Sequence, residues 1–295
     1  MLVDLHTHSY FSPDGSGTPV QGMAAAKRAG VAVLAVTDHD TVAHIEPCFD
    51  AAERVGGVRA VPGVELSLAL RAQSIPELHV LCYFPDRAAQ AWRQSAMISV
   101  LDRIRDAHEG WIGRVSREAG LPVGRLHDAQ RRVAEAGAIH PSAVPSLQAV
   151  KRYAGADEPE LWVATAAARN RLRSACGPDT HPAFPDLAEV ASDLSALGAV
   201  LVLAHPSRYG WKRDHLESIL RTMQAHGLQG MEAAYVPRAD DAPWLVALAH
   251  SLGLTVTIGS DVHDLPNTAS YGYAEPLRRI FDSYAQHISQ KVLNE

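Results

Sequence analysis

The first fifteen residues, MLVDLHTHSYFSPDG, place His6 and His8 one residue apart directly after the apolar run Leu2–Leu5, and a Ser- and Pro-containing loop then ends in Asp14-Gly15. Alternate residues of a strand share a face, so an HxH pair can turn both imidazoles toward one ion. The same coupling of an apolar run to His or carboxylate recurs along the chain. VTDHDT brings Asp38, His39 and Asp40, and PGVELS brings Glu65. ELHVL brings His79, LAHPSRY brings His205 and Arg208, MEAAY brings Glu232, and IGSDVHD brings Asp261, His263 and Asp264. Each stretch alone has an ordinary explanation: VTDHD can cap a helix, His205 can be a packed core residue, and GSDVH can be a turn. His79 lies near the beginning of its run; the other six runs deliver His, Asp or Glu at their ends to one rim, where parallel α/β folds gather their ligands. No cysteine belongs to the set. Imidazoles with carboxylates suit Mn²⁺, Zn²⁺ or Fe²⁺ and disfavour an all-oxygen Mg²⁺ or Ca²⁺ cage. The donors exceed what one ion can use, so two to three divalent ions are expected.

The elements that must carry these residues are legible as an alternation. Seven apolar runs read as strands: Leu2–Leu5, Val31–Val36, Val58–Val64, His79–Tyr83, Ala199–Ala204, Gly230–Ala234 and Leu254–Ile258. Several are apolar throughout, as in parallel strands covered on both faces. Helical patterns lie between them. Thr18 is a candidate N-cap for a helix running to about Ala29, with Pro19 at its first turn and Gly30 closing it. Residues 214–226 and 241–252 also read as helices. This rhythm argues an α/β barrel-like fold. It breaks between residues 86 and 185, an Ala- and Arg-rich stretch with long helical patterns. We divide the chain into a discontinuous barrel, 1–85 and 186–295, and a helical insertion or cap, 86–185.

Composition bounds the function. At 295 residues with a net charge of −6, the chain lacks the basic footprint of a long nucleic-acid surface, so any anionic substrate must be met locally. Cys48, Cys82 and Cys176 have no CxxC spacing and read as free thiols. Charged residues occupy the place of a signal-peptide core, and no apolar stretch approaches the roughly 18 residues of a membrane span. A cytoplasmic location is expected.

DLHTHSYFSPDG, VTDHDT, PGVELS, LAHPSRY and GSDVH, in this order, resemble the motifs of the PHP (polymerase and histidinol phosphatase) superfamily of metal-dependent phosphoesterases. They are most similar to the small bacterial branch with a helical insertion, which includes nucleoside 3′,5′-bisphosphate phosphatases and 5′-to-3′ exonucleases acting on short RNA. The resemblance spans the chain except its middle. It implies a distorted seven-stranded (β/α) barrel with a helical insertion and a trinuclear metal site. His6, His8, Glu65 and Asp261 would hold one ion; Glu65 would bridge to a second held by His79 and His205; Asp14, His39 and His263 would hold the third. Asp4 would orient an imidazole N–H. The branch carries a phosphate-binding arginine at the start of a helix in the insertion. The counterpart here, GAIHPSAV, offers His140 without that arginine, which leaves Arg208 and His140 as the phosphate-binding candidates; Arg169, Arg171 and Arg173 could substitute.

The function so implied is metal-dependent hydrolysis of phosphate esters. The expected substrate is a small phosphorylated metabolite or nucleotide, such as a nucleoside 3′,5′-bisphosphate or a short 5′-phosphorylated oligonucleotide end. A hydroxide between the ions sharing Glu65 would attack, Arg208 would hold phosphoryl oxygens, and Asp40 or a metal-bound water would protonate the leaving group. A cyclic-phosphate phosphodiesterase and a histidinol-phosphate-like phosphatase are the alternatives. A module without catalysis is disfavoured, because all nine ligand positions are filled.

Overall fold

A computed structural model describes residues 1–156, 158–175, 180–265, 274–284, 286, 288 and 290–293. Cys176 lies outside them; Cys48 and Cys82 are free and buried. One seven-stranded sheet runs in chain order: β1 (Leu2–Thr7), β2 (Val31–Val36), β3 (Arg59–Leu70), β4 (Ile75–Tyr83), β5 (Val200–Leu203), β6 (Leu228–Tyr235) and β7 (Thr255–Gly259). The segment after β7 returns to β1: His8 N–H donates to Val262 O at 2.8 Å and Asp261 N–H to His6 O at 2.8 Å. The sheet therefore curls into a nearly closed barrel. The pairs β1–β2, β2–β3, β5–β6 and β6–β7 are parallel.

β4 is the exception, antiparallel to both β3 and β5. Its link to β3 is one turn over Arg71–Gln73 with Ser74 in the left-handed region at φ 55°. A parallel crossover needs a dozen or more residues, so this connection can make only a hairpin. Both strands extend beyond the apolar runs seen in the sequence. His79 accordingly lies within β4, not at a strand's carboxyl end, and faces Ser67 across the ladder.

The barrel is wrapped by helices. α1 (Pro19–Ala29) has the capping box of Thr18 with Gln21, Pro19 in its first turn, and Gly30 at φ 78° as its left-handed stop. α2 (Ile45–Val55) follows β2. Four helices then follow β4: α3 (Ser95–Glu118), α4 (Val123–Glu135), α5 (Leu147–Ala156) and α6 (Pro159–Ser174). α7 (Leu187–Ala196), α8 (Arg213–Gln224) and α9 (Ala242–Ser251) complete the wrap around β5–β7. α3 belongs to two cores. Met97, Val100, Ile104 and Ala107 join the barrel's apolar cluster, whereas Trp111, Ile112 and Val115 join a second cluster with Leu126, Val133 and Leu161 of α4 and α6. The first half of α3 is thus clamped to the barrel, while its second half carries α4–α6.

Candidate metal centre

Imidazoles and carboxylates converge at one end of the barrel, and Glu65 of β3 is their hub. Its Oε2 lies 3.1 Å from His6 Nε2, 3.1 Å from His8 Nε2 and 3.2 Å from His39 Nδ1. Its Oε1 lies 2.9 Å from His79 Nδ1 and 3.0 Å from His205 Nε2. Burial alone would raise the Glu65 carboxyl, but His39, His6 and His79 hold it well below the usual range. Burial lowers His39 to a pKa of about 4 and lowers His205 as well, whereas the facing carboxylates raise His6, His8 and His79 against the effect of burial.

His6, His8, Glu65 and Asp261 make a compact tetrad. His6 Nε2 and His8 Nε2 are 3.1 Å apart, and Asp261 Oδ1 lies 3.4 Å from the first and 3.2 Å from the second. With metal–ligand bonds of about 2.1 Å, tetrahedral or octahedral ligands stand roughly 3.0–3.4 Å apart. The edges of the tetrad match that spacing. Asp261 Oδ1 and His79 Nδ1 are buried beside these groups yet make no hydrogen bond. Such contacts are poor as hydrogen bonds and apt as edges of a coordination shell, so the residues fit divalent ions. On the open side, Asp14 Oδ2 lies 3.7 Å from His39 Nε2 and 3.5 Å from His263 Nε2, and the rings of His39 and His263 stack on that of His8. Asp14 Oδ1 is a further buried oxygen without a partner. His39 faces both parts of the centre, with Nδ1 toward Glu65 and Nε2 toward Asp14.

A second ring of contacts aims these atoms. Glu232 Oε1 meets His6 Nδ1 at 3.1 Å, and Glu232 Oε2 accepts from the His205 backbone N–H at 2.7 Å. Ser12 Oγ meets His8 Nδ1 and also accepts from the His39 N–H. His263 Nδ1 meets the Asp261 carbonyl at 2.8 Å, which leaves Nε2 to face Asp14. The Asp261 carboxylate is divided: Oδ1 points at the histidines, while Oδ2 accepts from Arg208 Nη1 at 2.8 Å and from the Tyr235 hydroxyl at 3.1 Å. His205, Asp40 and Asp261 all have positive φ, at 30°, 55° and 54°. Their amides are tied to Glu232, to the Glu65 carbonyl and to the His6 carbonyl, so the surrounding bonds enforce the strain.

Gly259 marks how tight this packing is. A Cβ there would stand 2.1 Å from Glu232 Oε1 and 2.4 Å from His6 Cβ. Gly259→Ala is expected to push Glu232 off His6 and to lower metal affinity or turnover by about 10–100-fold, the usual range for a disturbed outer contact. A metal titration of activity checks this.

The sequence-derived candidates do not all land where their roles require. Both carboxylate oxygens of Asp40 are occupied as acceptors. Its Oδ1 accepts from Ser67 N–H, its Oδ2 accepts from Ser67 Oγ and meets His108 Nε2 at 2.9 Å, and although burial raises its carboxyl, His108, His39 and Ser67 together hold it below the usual range. Asp4 does not orient an imidazole. It accepts from Ser260 N–H and Oγ and from the His6 backbone N–H, which braces the turn leading to Asp261, while Glu232 takes the imidazole role. Asp38 braces the β1–α1 loop through Ser9 N–H and Oγ. Asp264 accepts from Ser16 Oγ outside the centre. His140 stacks on Phe11 with centroids 4.0 Å apart and binds Ser142, at the seam between the insertion and that loop. Arg171 pairs with Glu118, and Arg173 lies 3.4 Å from Glu77, whose other oxygen is 3.9 Å from His79 Nε2. Two contributors were not read from the sequence at all. Arg152 of α5 donates to the carbonyls of Asp14 and Gly15 and so fastens the ligand loop to the insertion, and His108 of α3 reaches Asp40. Both lie in amphipathic helical sequence where nothing distinguishes them from solvated charges.

The chain carries a PHP domain, matched over residues 4–135. Barrel, site and domain together define a metal-dependent phosphoesterase. Over 278 residues the chain is 28% identical to a 3′,5′-nucleoside bisphosphate phosphatase of Chromobacterium violaceum, covering 88% of this chain and 87% of that protein. It is 27% identical over 274 residues to a 5′-3′ exoribonuclease of Haemophilus influenzae, covering 88% and 89%. Its fold is similar to the structure of an amidohydrolase from Chromobacterium violaceum with bound sulfate, with a TM-score of 0.68 at 24% identity over 90% of this chain and 88% of that one.

Proposed function

We propose that the chain is a phosphomonoesterase acting on a small phosphorylated metabolite or nucleotide, with a nucleoside 3′,5′-bisphosphate or the 5′-phosphorylated end of a short oligonucleotide as its substrate class. The tetrad of His6, His8, Glu65 and Asp261, with edges of 3.1–3.4 Å, carries this reading. The activities named for its relatives over most of the chain support the substrate class. Two to three divalent ions, Mn²⁺, Zn²⁺ or Fe²⁺, belong in the centre. His6, His8, Glu65 and Asp261 would hold the first, Glu65, His79 and His205 the second, and Asp14, His39 and His263 the third. Bound there, such ions supply positive charge that acidifies water and offsets the charge on the phosphoryl oxygens.

The residues of the chain do the rest. Glu232, Ser12 and the Asp261 carbonyl fix the orientation of three histidines. Arg208, half exposed at the rim beside Asp261, offers its remaining N–H groups to a phosphoryl oxygen. His140 lines, with Arg105 and His127, a cavity of about 280 Å³ beside the loop that carries Asp14, a place for the remainder of the substrate. Residues 86–185 act as the cap, and residues 1–85 and 186–295 as the barrel. Among the described residues no helix is long and apolar enough to cross a membrane. The two described cysteines are free, in keeping with work in the cytoplasm.

Phosphate release from a panel tests the reading: adenosine 3′,5′-bisphosphate, a 5′-phosphorylated dinucleotide, a ribose cyclic phosphate, histidinol phosphate and an aryl phosphate, each with Mn²⁺-loaded protein. Preference for either of the first two is expected; turnover confined to the others overturns the substrate class. Arg208→Ala is expected to raise KM about 10–100-fold, the equivalent of one charge-assisted hydrogen bond, with Tyr235 still holding Asp261. An unchanged KM in initial-rate measurements counts against the contact.

A further inference from the structure

We infer that His108, supplied by the insertion and held by Asp40, donates the proton to the leaving group. The inference rests on the phosphoesterase reading and adds the acid that the barrel itself lacks.

Asp40 has every mark of a residue built to hold a partner. It follows His39 directly and is forced to φ 55° by the bond from its own N–H to the Glu65 carbonyl. Two Ser67 donors fix its carboxylate, and His108 Nε2 closes on it at 2.9 Å. Ser67 lies two residues beyond Glu65 on β3, on the same face of the strand and about 6.6 Å along it. One hydrogen bond further on, His108 stands at the edge of the centre. Ser67 faces His79 across the β3–β4 ladder and Asp40 follows His39, which places His108 on the His39–His79 side.

The position is rigid. Ile104 and Ala107, in the preceding turn of α3, are buried in the barrel core, and the Phe184 ring meets the imidazole edge-on at 5.0 Å. With Nε2 committed to Asp40, Nδ1 has no hydrogen-bond partner among the described residues, and the side chain is 15% exposed. A carboxylate on one nitrogen and an open second nitrogen at the mouth of a site is the arrangement of an imidazole that passes protons.

The step balances simply. Water oxygen attacks phosphorus and the P–O ester bond breaks, leaving its electron pair on the departing oxygen. That oxygen takes the Nδ1 proton of the imidazolium. The products are the free alcohol and phosphate, and solvent returns a proton to His108 while accepting the one lost by the attacking water. An alkoxide such as a ribose oxygen needs this proton; a nitrophenolate leaves with little help.

The test compares His108→Gln with wild type, both Mn²⁺-loaded, on adenosine 3′,5′-bisphosphate and on p-nitrophenyl phosphate. Gln keeps a donor to Asp40 but cannot act as an acid. The kcat on the bisphosphate is expected to fall about 10²–10⁴-fold, the usual worth of a positioned acid, and the loss on the aryl ester to be far smaller. His108→Ala should regain alkyl-ester turnover with added imidazole. Equal losses on both esters, or no loss on either, overturn the inference and leave the phosphoesterase reading standing. Failure of the wild type on both esters overturns both.

Discussion

Glu65→Gln is expected to lower kcat on any phosphate ester on the order of a thousandfold or more, with a folded protein remaining. The carboxylate is shared by five imidazole nitrogens within 3.2 Å, so removing its charge disturbs every ligand group that contains it. Metal charge is worth several kcal/mol to the transition state, and each ~1.4 kcal/mol is a factor of ten. The fold should survive because Gln keeps the size and shape of the Glu65 side chain and the apolar core around the barrel is untouched. Initial rates, elemental analysis for bound metal and circular dichroism separate these claims. Near-wild-type turnover by a well-folded Glu65→Gln variant would contradict the account.

Asp261→Asn is expected to have an effect of similar size by a narrower route. Only Oδ1 faces His6 and His8; Oδ2 is occupied by Arg208 and Tyr235. The amide retains the shape but brings at most a neutral oxygen to the tetrad, and its NH₂ would meet either the two imidazoles or the two donors. Asn tolerates the left-handed backbone at φ 54° as well as Asp does, so the turn should persist. The measurement is the ratio of kcat for variant and wild type across a range of Mn²⁺ concentrations. Recovery of full turnover at high metal would mean that Asp261 tunes affinity alone.

Much of this was legible in the sequence, for definite reasons. The runs at β1, β2, β5, β6 and β7 are largely apolar and almost wholly buried, so they read as strands, and in or just beyond them lie His6, His39, His205, Glu232 and Asp261. The capping of α1 by Thr18, Pro19 and Gly30 was read residue by residue because its chemistry is local. The hairpin of β3 and β4 was not, since IPELH alternates polar and apolar residues around an interior that is itself a site. The orienting role expected of Asp4 falls to Glu232, because spacing shows which residues reach a rim, not which atom each one meets. Asp40, or a metal-bound water, is left open as the acid by VTDHDT alone. Its true environment depends on Ser67 across the sheet and on His108 from a helix far along the chain, a contact that no local pattern encodes.

The most direct test of the central claim follows phosphate release from adenosine 3′,5′-bisphosphate by a single preparation in three states: as purified, stripped by chelator until elemental analysis finds no metal, and reloaded with Mn²⁺. The expected result is loss of turnover on stripping and its return on reloading, with two to three ions bound per chain. Undiminished turnover by the metal-free protein, or reloading that binds ions without restoring hydrolysis of any phosphate ester, would contradict it.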